Sequence, residues 1–195
     1  SLGQYSEGTG QIKVADANHV GEIAHILTYD HPLNASEREA LDVWQMSRRE
    51  SALTTGEDSA SPPGEGLRFW LDAADIDANS ASPNPPVGSP ISQWTDRVVG
   101  ITIAQEDASR QPVLSVIESH GKATGMVGVR FRDDFLTGPV NDAAFIQHQS
   151  GSLVMIYTAR HSHEGYGFEV GGNGAFLSTF VNPAASARES LKSVL

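Results

Sequence analysis

The sequence contains no cysteine, so disulfide bonds and thiol catalysis are excluded. It has no apolar run near the ~20 residues that a membrane-spanning helix needs, and no signal peptide is visible. Basic residues are scarce, since 13 Lys and Arg stand against 24 Asp and Glu, and the net charge is -11. Because nucleic acids and anionic membranes attract basic surfaces, we expect neither nucleic-acid binding nor membrane insertion.

Turn-forming residues are abundant. The chain has 19 Gly and 10 Pro among 195 residues, with 39% hydrophobic residues, which indicates a folded protein with many turns and hence β structure. Short segments with strand patterning recur along the chain, among them 11–15, 66–76, 126–131, 152–160 and the hairpin 165–181. About eight such strands, with one or two helices, predict an all-β, antiparallel two-sheet β-sandwich.

The clearest local pattern lies in the stretch 20–50. Its apolar run 21–29 predicts a strand that is covered on both faces, and Pro32 ends that strand. Asn34 then has the pattern of a helix N-cap, with Glu37 three residues later as in a capping box.

One short α-helix is predicted over about 35–49. Its broad apolar side comprises Ala40, Leu41, Val43, Trp44 and Met46. Arg48 and Arg49 are predicted in the last turn, where the helix dipole favours cations. Residues 51–65 follow, and their small, polar, proline-containing composition predicts a linker.

The sequence GEIAHILTYDHPLNASEREALDVWQ, at 21–45, resembles the closing segment of laminin-G-like, concanavalin A-like domains, which many bacterial surface proteins contain. The residues that match the family pattern are Gly21, Glu22, Ile23, Ala24, Tyr29, Asp30, Leu33, Glu37 and Arg38. His25 stands where the family usually has Glu, and Asn34 stands where it usually has Ser or Thr.

A later stretch resembles the opening segment of the same family. The matching residues are Leu67, Trp70, Leu71, Asp72, Ala73, Asp75, Trp94, Asp96, Pro112, Val129 and Phe131. The residues that depart from the pattern are Arg132, Asp133 and Asp134, which replace the usual Asp-Gly.

The resemblance implies a jelly roll whose closing segment, 21–50, precedes its opening segment, 66–131, through circular permutation or strand exchange. On this interpretation 1–50 is the closing strand and helix, 51–65 is the linker, and 66–195 is the main body of the sandwich.

Two arrangements of the displaced segment remain open. Either the segment closes its own domain, or it docks on a neighbouring chain and leaves strand edges open on each subunit. Head-to-tail contacts of the second kind build rings or open fibres. The residues predicted to carry self-association are Ile23, Ile26, Tyr29, Leu41 and Trp44.

The resemblance and the displaced segment together lead us to expect a non-enzymatic structural or adhesive module. It would be extracellular or at a cell surface, with copies of itself as partners in a homo-oligomer or filament. The alternative is a carbohydrate-binding module with a calcium site at its rim. A glycan would then stack on Trp70 and Trp94 beside Asp96, although Trp94 also fits a core position.

Calcium is the one cofactor that the sequence suggests. The acidic residues Asp72, Asp75 and Asp77 offer oxygen ligands for Ca²⁺ near the start of a long loop. Turn formation by Asp and Asn explains the same pattern without a metal.

No catalytic constellation emerges from the sequence. Asp133 and Asp134 are adjacent, so on a strand they would point to opposite faces rather than into one groove, as a glycosidase requires. His161 and His163, followed by Glu164, have the spacing of two metal ligands on one strand face. The same residues also fit a solvated loop. We expect no enzyme activity; a degenerate glycan-cleaving enzyme is the remaining hypothesis.

Overall fold

A computed structural model describes seven parts of the chain, and these parts form eleven strands, one α-helix and one 3-10 helix. The described residues are 11–15, 20–54, 61–119, 122–139, 151–159, 165–171 and 177–181. The strands are β1 (Gln11–Val14), β2 (Val20–Tyr29), β3 (Leu67–Asp72), β4 (Gln93–Thr95), β5 (Thr102–Ala104), β6 (Val113–Ser119), β7 (Lys122–Arg132), β8 (Leu136–Pro139), β9 (Ser152–Ala159), β10 (Gly165–Gly171) and β11 (Leu177–Val181). The α-helix, α1, spans Ala35–Thr54, and the 3-10 helix spans Ala108–Arg110.

The strands form two antiparallel sheets, as the sequence predicts. The six-stranded sheet has the order β11-β10-β1-β8-β5-β4. In the five-stranded sheet β2 is an interior strand. Its one edge pairs with β9, and its other edge pairs first with β7 and then with β3. Strand β6 pairs with the far side of β7.

The main core lies between the sheets. It is built from side chains that alternate along each strand, because successive residues of a strand point to opposite faces. Its largest fully buried members are Trp94, Phe69, Phe131, Ile12, Ile23, Ile26, Leu71 and Ile103.

Helix α1 covers the outer face of the five-stranded sheet. A second apolar cluster lies between them and consists of Leu27, Tyr29, Leu33, Leu41, Trp44, Trp70 and Val154. Because α1 covers one face and the other sheet covers the other, β2 is buried on both faces, as its apolar run predicts. Among the residues that the structure describes, no helix combines the length and the apolar character needed to cross a membrane.

Several details differ from the sequence predictions. The helix does not end near 49 but continues to Thr54, since no Gly or Pro interrupts it before Gly56. Arg48 and Arg49 therefore lie inside the helix, and their predicted place in the last turn is wrong. The apolar side is also narrower than predicted, because Val43 and Met46 are exposed.

The short strands β4 and β8 were not predicted, because three or four residues carry too little alternation to stand out. The alternation of Leu67, Phe69 and Leu71 predicts one core face for β3. In the structure β3 is buried on both faces, since Trp70 and Asp72 lie beneath α1. The β10–β11 pairing confirms the predicted hairpin strands. Pro183 also predicts a short terminal helix within 182–195, and those residues lie outside the described parts of the chain.

Candidate functional site

A cluster of buried charges lies between α1 and the five-stranded sheet, and Asp72 is at its centre. The guanidinium Nη2 of Arg48 donates to both carboxylate oxygens of Asp72, at 3.1 and 3.2 Å. Arg97 donates to Asp72 Oδ2 at 2.8 Å, and His25 Nδ1 lies 3.4 Å from Asp72 Oδ1. Asp72, Arg48 and His25 are all buried. We call these four residues the Asp72 cluster.

Strand register and helix periodicity explain why these residues meet. Asp72 is the last residue of β3, and its partner across the β2–β3 pair is His25. Arg48 lies seven residues after Leu41 on α1, so both side chains project from the buried side of the helix. Arg97 follows β4, and its backbone N–H donates to the carbonyl oxygen of Trp70 at 3.0 Å.

Aromatic rings enclose the cluster. The guanidinium carbon of Arg48 lies 5.2 Å from the ring centroid of Trp44 and 5.9 Å from that of Trp70. Arg97 stacks more closely, with its guanidinium carbon 4.3 Å from the Trp70 ring centroid. Cation–π contacts of this kind compensate part of the hydration that a buried guanidinium loses.

The environment shifts the pKa values of the cluster. Burial opposes ionisation of Asp72, but His25, Arg48 and Arg97 outweigh it, and the pKa of Asp72 lies below its ordinary value. Burial lowers the pKa of His25 to about 3; Asp72 counteracts this effect, and the two arginines reinforce it. The cluster therefore holds a neutral imidazole beside a carboxylate that is neutralised by guanidinium groups.

The residues proposed as calcium ligands have other partners. Asp72 faces Arg48 and Arg97, and the second oxygen of Asp75 lies 3.2 Å from Arg97. Asp75 and Asp77 each accept the backbone N–H of Asn79, at 2.9 and 3.1 Å, which is the turn-forming use of Asp. Across the described residues, no group of three or more His, Asp or Glu side chains is placed to hold a metal ion.

The residues proposed to stack on a glycan are buried. Trp94 is 0% exposed, and its indole N–H donates to the carbonyl oxygen of Asp72 at 3.0 Å. Trp70 is 5% exposed beneath α1.

Asp96, the third of these residues, organises a turn. Its two oxygens accept backbone N–H groups from Trp70, Val98, Val99 and Gly100. Burial raises the pKa of Asp96, although these four donors oppose the change. Asp96 thus ties the turn after β4 to the edge of β3 opposite β2.

The residues proposed for self-association all lie inside the chain's own sandwich. Ile23 and Ile26 belong to the core between the sheets. Tyr29, Leu41 and Trp44 belong to the cluster beneath α1.

A second polar site is an open cleft of about 510 Å³ at the junction of β2, α1 and β3. Its lining includes Asp30, His31, Glu37, Glu65 and Arg68. The imidazole Nδ1 lies 3.0 Å from Asp30 Oδ1, and Nε2 lies 2.9 Å from Glu37 Oε1. We call this place the His31 cleft.

The sequence predicted neither the Asp72 cluster nor the His31 cleft. Arg48 carried one usable signal, because it falls four residues after Trp44 on the buried side of the helix. His25 and Arg97 carried none, since their partner Asp72 lies on a distant element. His31 had a local signal that was not used, because Asp30 and Glu37 lie one and six residues away. Neither site offers a nucleophile beside a free base. Asp133 and Asp134 lie in a turn, where Asp133 has φ 61° and Asp134 accepts the N–H of Arg132. His161, His163 and Glu164 lie outside the described residues.

A scan against models of known protein families and searches of curated proteins and of solved structures find no match for this chain. The architecture, an antiparallel two-sheet sandwich, is compatible with a jelly-roll-like fold.

Proposed function

We propose that this protein is a non-enzymatic β-sandwich module of an extracellular or cell-surface structure, and that it self-associates by exchanging strand β2 and helix α1 between copies. The observation that carries the proposal is the position of β2. This strand comes second in the chain, yet it is interior to a sheet whose other strands all come after the 55–65 connection.

All the contacts that hold the exchanged unit, residues 20–54, are repeated in every copy. Strands β9, β3 and β7 offer it hydrogen-bonding edges, and Asp72 offers its carboxylate to Arg48. A neighbouring chain presents the same partners, so exchange keeps these interactions and changes only which chain supplies them. Domain swapping therefore costs little beyond the entropy of association.

The connection suits exchange by its composition. Residues 55–65 read TGEDSASPPGE, which are small and polar apart from a double proline. Such segments reach between domains without a packed structure of their own. Head-to-tail exchange then closes into a ring or continues as a filament.

The resemblance to laminin-G-like, concanavalin A-like domains supports the proposed location. It also supplies the finer fold proposal, a jelly roll with its closing segment placed before its opening segment. The match consists of the residues quoted above at 21–45 and 66–131. Calcium and glycan binding stay predictions from that resemblance, and no contact among the described residues favours them over self-association.

Cysteine pairing tests the exchange directly, because the chain has no cysteine of its own. Thr28 of β2 and Leu153 of β9 are register partners, and antiparallel partners lie within the Cα separation that a disulfide spans. One copy carries Thr28→Cys and a second, larger tagged copy carries Leu153→Cys. After the copies are refolded together at high concentration and oxidised, exchange predicts disulfide-linked heterodimers on a non-reducing gel.

A control mixture measures how many disulfide-linked heterodimers form by random collision. Val43 is 62% exposed on α1, so Val43→Cys replaces Thr28→Cys in the control mixture. The control is expected to give clearly fewer heterodimers. If both mixtures cross-link equally, or if the protein sediments as a monomer at every concentration and the Thr28→Cys/Leu153→Cys double variant forms only intrachain bonds, the proposal is wrong.

A further inference from the structure

The His31 cleft holds an imidazole between two carboxylates that belong to different elements. Asp30 follows the last residue of β2, and Glu37 lies in the first turn of α1. Both ring nitrogens are within hydrogen-bond distance of a carboxylate oxygen. A neutral imidazole has one N–H donor, whereas the imidazolium has two. With both carboxylates ionised, only the cation makes both bonds at once.

We propose that His31 is a pH-sensitive clasp. Its cationic form ties the end of β2 to the first turn of α1, and its neutral form releases one of the two carboxylates. The clasp works in a chain that closes its own sandwich, so it does not depend on segment exchange.

The clasp reaches a third element through Asp30. The second carboxylate oxygen of Asp30 accepts from the guanidinium of Arg68 in β3, and the N–H of Asp30 donates to the carbonyl oxygen of Gly66 at 2.9 Å. Glu37 also uses its second oxygen, which accepts the N–H of Asn34 at 2.7 Å. Losing one carboxylate from His31 therefore affects the helix cap or the turn before β3.

Gly66 makes room for this arrangement. A Cβ at residue 66 would lie 2.4 Å from His31 Nδ1 and 2.5 Å from Asp30 Oδ1, and the backbone there has φ +67°. Any other residue at 66 would push the imidazole and the carboxylate apart.

The carboxylates around His31 favour its cation, whereas the neighbouring arginines oppose it. The end of β2 contributes Asp30 and the neighbouring ring of Tyr29, whose centroid lies 6.3 Å away. Helix α1 contributes Glu37 and Arg38, the turn before β3 contributes Glu65, and β3 contributes Arg68. Hydrogen bonds to Asp30 and then to Glu37 raise the pKa of His31, and burial opposes them only partly.

The direction of the pH effect follows from linkage. Because the pKa of His31 is higher in the folded chain than in the unfolded chain, its stabilisation is complete below the unfolded pKa of ~6.5 and is lost as pH rises through the folded value. His25 acts in the opposite sense. Its pKa of about 3 in the fold means that stability falls as pH drops below ~6.5. Only a comparison of variants separates the two histidines.

The first test compares wild type with His31→Gln by urea unfolding at about pH 5 and about pH 9. The clasp predicts that the substitution lowers the unfolding midpoint at the acidic pH and has a clearly smaller effect at the basic pH. An equal effect at both pH values would overturn the proposal.

The second test follows the His31 ring resonance by NMR during a pH titration. We expect a midpoint above the ordinary ~6.5 in wild type and a lower midpoint in Glu37→Gln. Gln at this position still accepts the N–H of Asn34, so the helix cap is kept while the charge is lost. The control is Glu39→Gln, two residues away and exposed, which should leave the midpoint unchanged. A wild-type midpoint at or below ~6.5, or equal shifts in both variants, would contradict the clasp.

Discussion

At the scale of the residue, the buried charge of Arg48 is the least expected feature. Arg is seldom fully buried, and here it is 1% exposed. Its pairing with Asp72, and its stacking on Trp44 and Trp70, give it partners in place of water. The pair joins α1 to β3 by one specific contact, whereas the surrounding apolar cluster would tolerate many similar packings.

Replacing Arg48 with Met tests this contact. The substitution keeps much of the side-chain volume but removes the closest buried cation from Asp72, which keeps Arg97, His25 and the N–H of Ala74 as partners. We therefore expect a loss of about 3 kcal/mol in the free energy of unfolding. Urea denaturation with fluorescence detection measures it. The exposed neighbour Arg49→Met is the control, with an expected change below ~0.5 kcal/mol. Equal losses for the two variants would show that the Asp72 pairing contributes nothing specific.

At the scale of the element, α1 begins as its sequence indicates. The N–H of Glu37 donates to Asn34 Oδ1 at 3.1 Å, and the N–H of Asn34 donates to Glu37 Oε2 at 2.7 Å. This reciprocal pair is the predicted capping box. It was predictable because both partners lie within one helical turn, where spacing alone brings them together.

Removing the cap is expected to weaken the helix where it starts. Asn34→Ala leaves the N–H of Glu37 without its acceptor, and we expect a loss of about 1 kcal/mol. Ser36→Ala is the matched control, since Ser36 lies inside the same first turn and is exposed. Alanine favours helix interiors, so the control should be neutral or slightly stabilising. If Ser36→Ala costs as much as Asn34→Ala in thermal unfolding, the loss does not come from the cap.

At the scale of the whole molecule, chain order and spatial order differ. Strand β2 pairs with β9, and the contact between Glu22 and Thr158 joins residues 136 apart in sequence. A sheet that depends on such distant pairs forms slowly, because loop closure precedes the contacts that stabilise it.

Truncation tests how far the later strands depend on the first ones. A chain of residues 61–195 lacks β1, β2 and α1, so β9 loses its partner and Asp72 loses Arg48. We expect no cooperative unfolding transition and no near-ultraviolet circular dichroism from fixed aromatic rings. A synthetic peptide of residues 11–54, which supplies β1, β2 and α1, should restore both signals. Cooperative unfolding of the truncated chain alone would show that its strands form a core without the first segment.

At the residues of the calcium and glycan predictions, local spacing does not predict the surroundings of the side chains. Asp72, Asp75 and Asp77 have a spacing that suits cation binding, and Trp70 and Trp94 suit sugar stacking. Those predictions treat the residues as neighbours of solvent. In the structure Arg48 and Arg97 face the Asp72 carboxylate. Helix α1 covers Trp70, and Trp94 is buried in the core between the two sheets. The spacing of residues along the sequence does not show which distant elements cover their side chains.

The sequence by itself determined the sandwich, the buried strand 21–29 and the capped start of the helix, because alternation, burial and capping act over a few residues. Only the tertiary structure decided that β2 is an interior strand of the five-stranded sheet and that Arg48 meets Asp72. It also decided that His31 lies between Asp30 and Glu37, with Arg68 beyond Asp30. The pairing of β2, the Arg48–Asp72 pair and the Asp30–Arg68 pair depend on strand register and on the packing of α1, which are set by segments that are distant in the chain. Asp30 and Glu37 are near His31 in the chain, and the turn between β2 and α1 brings them together.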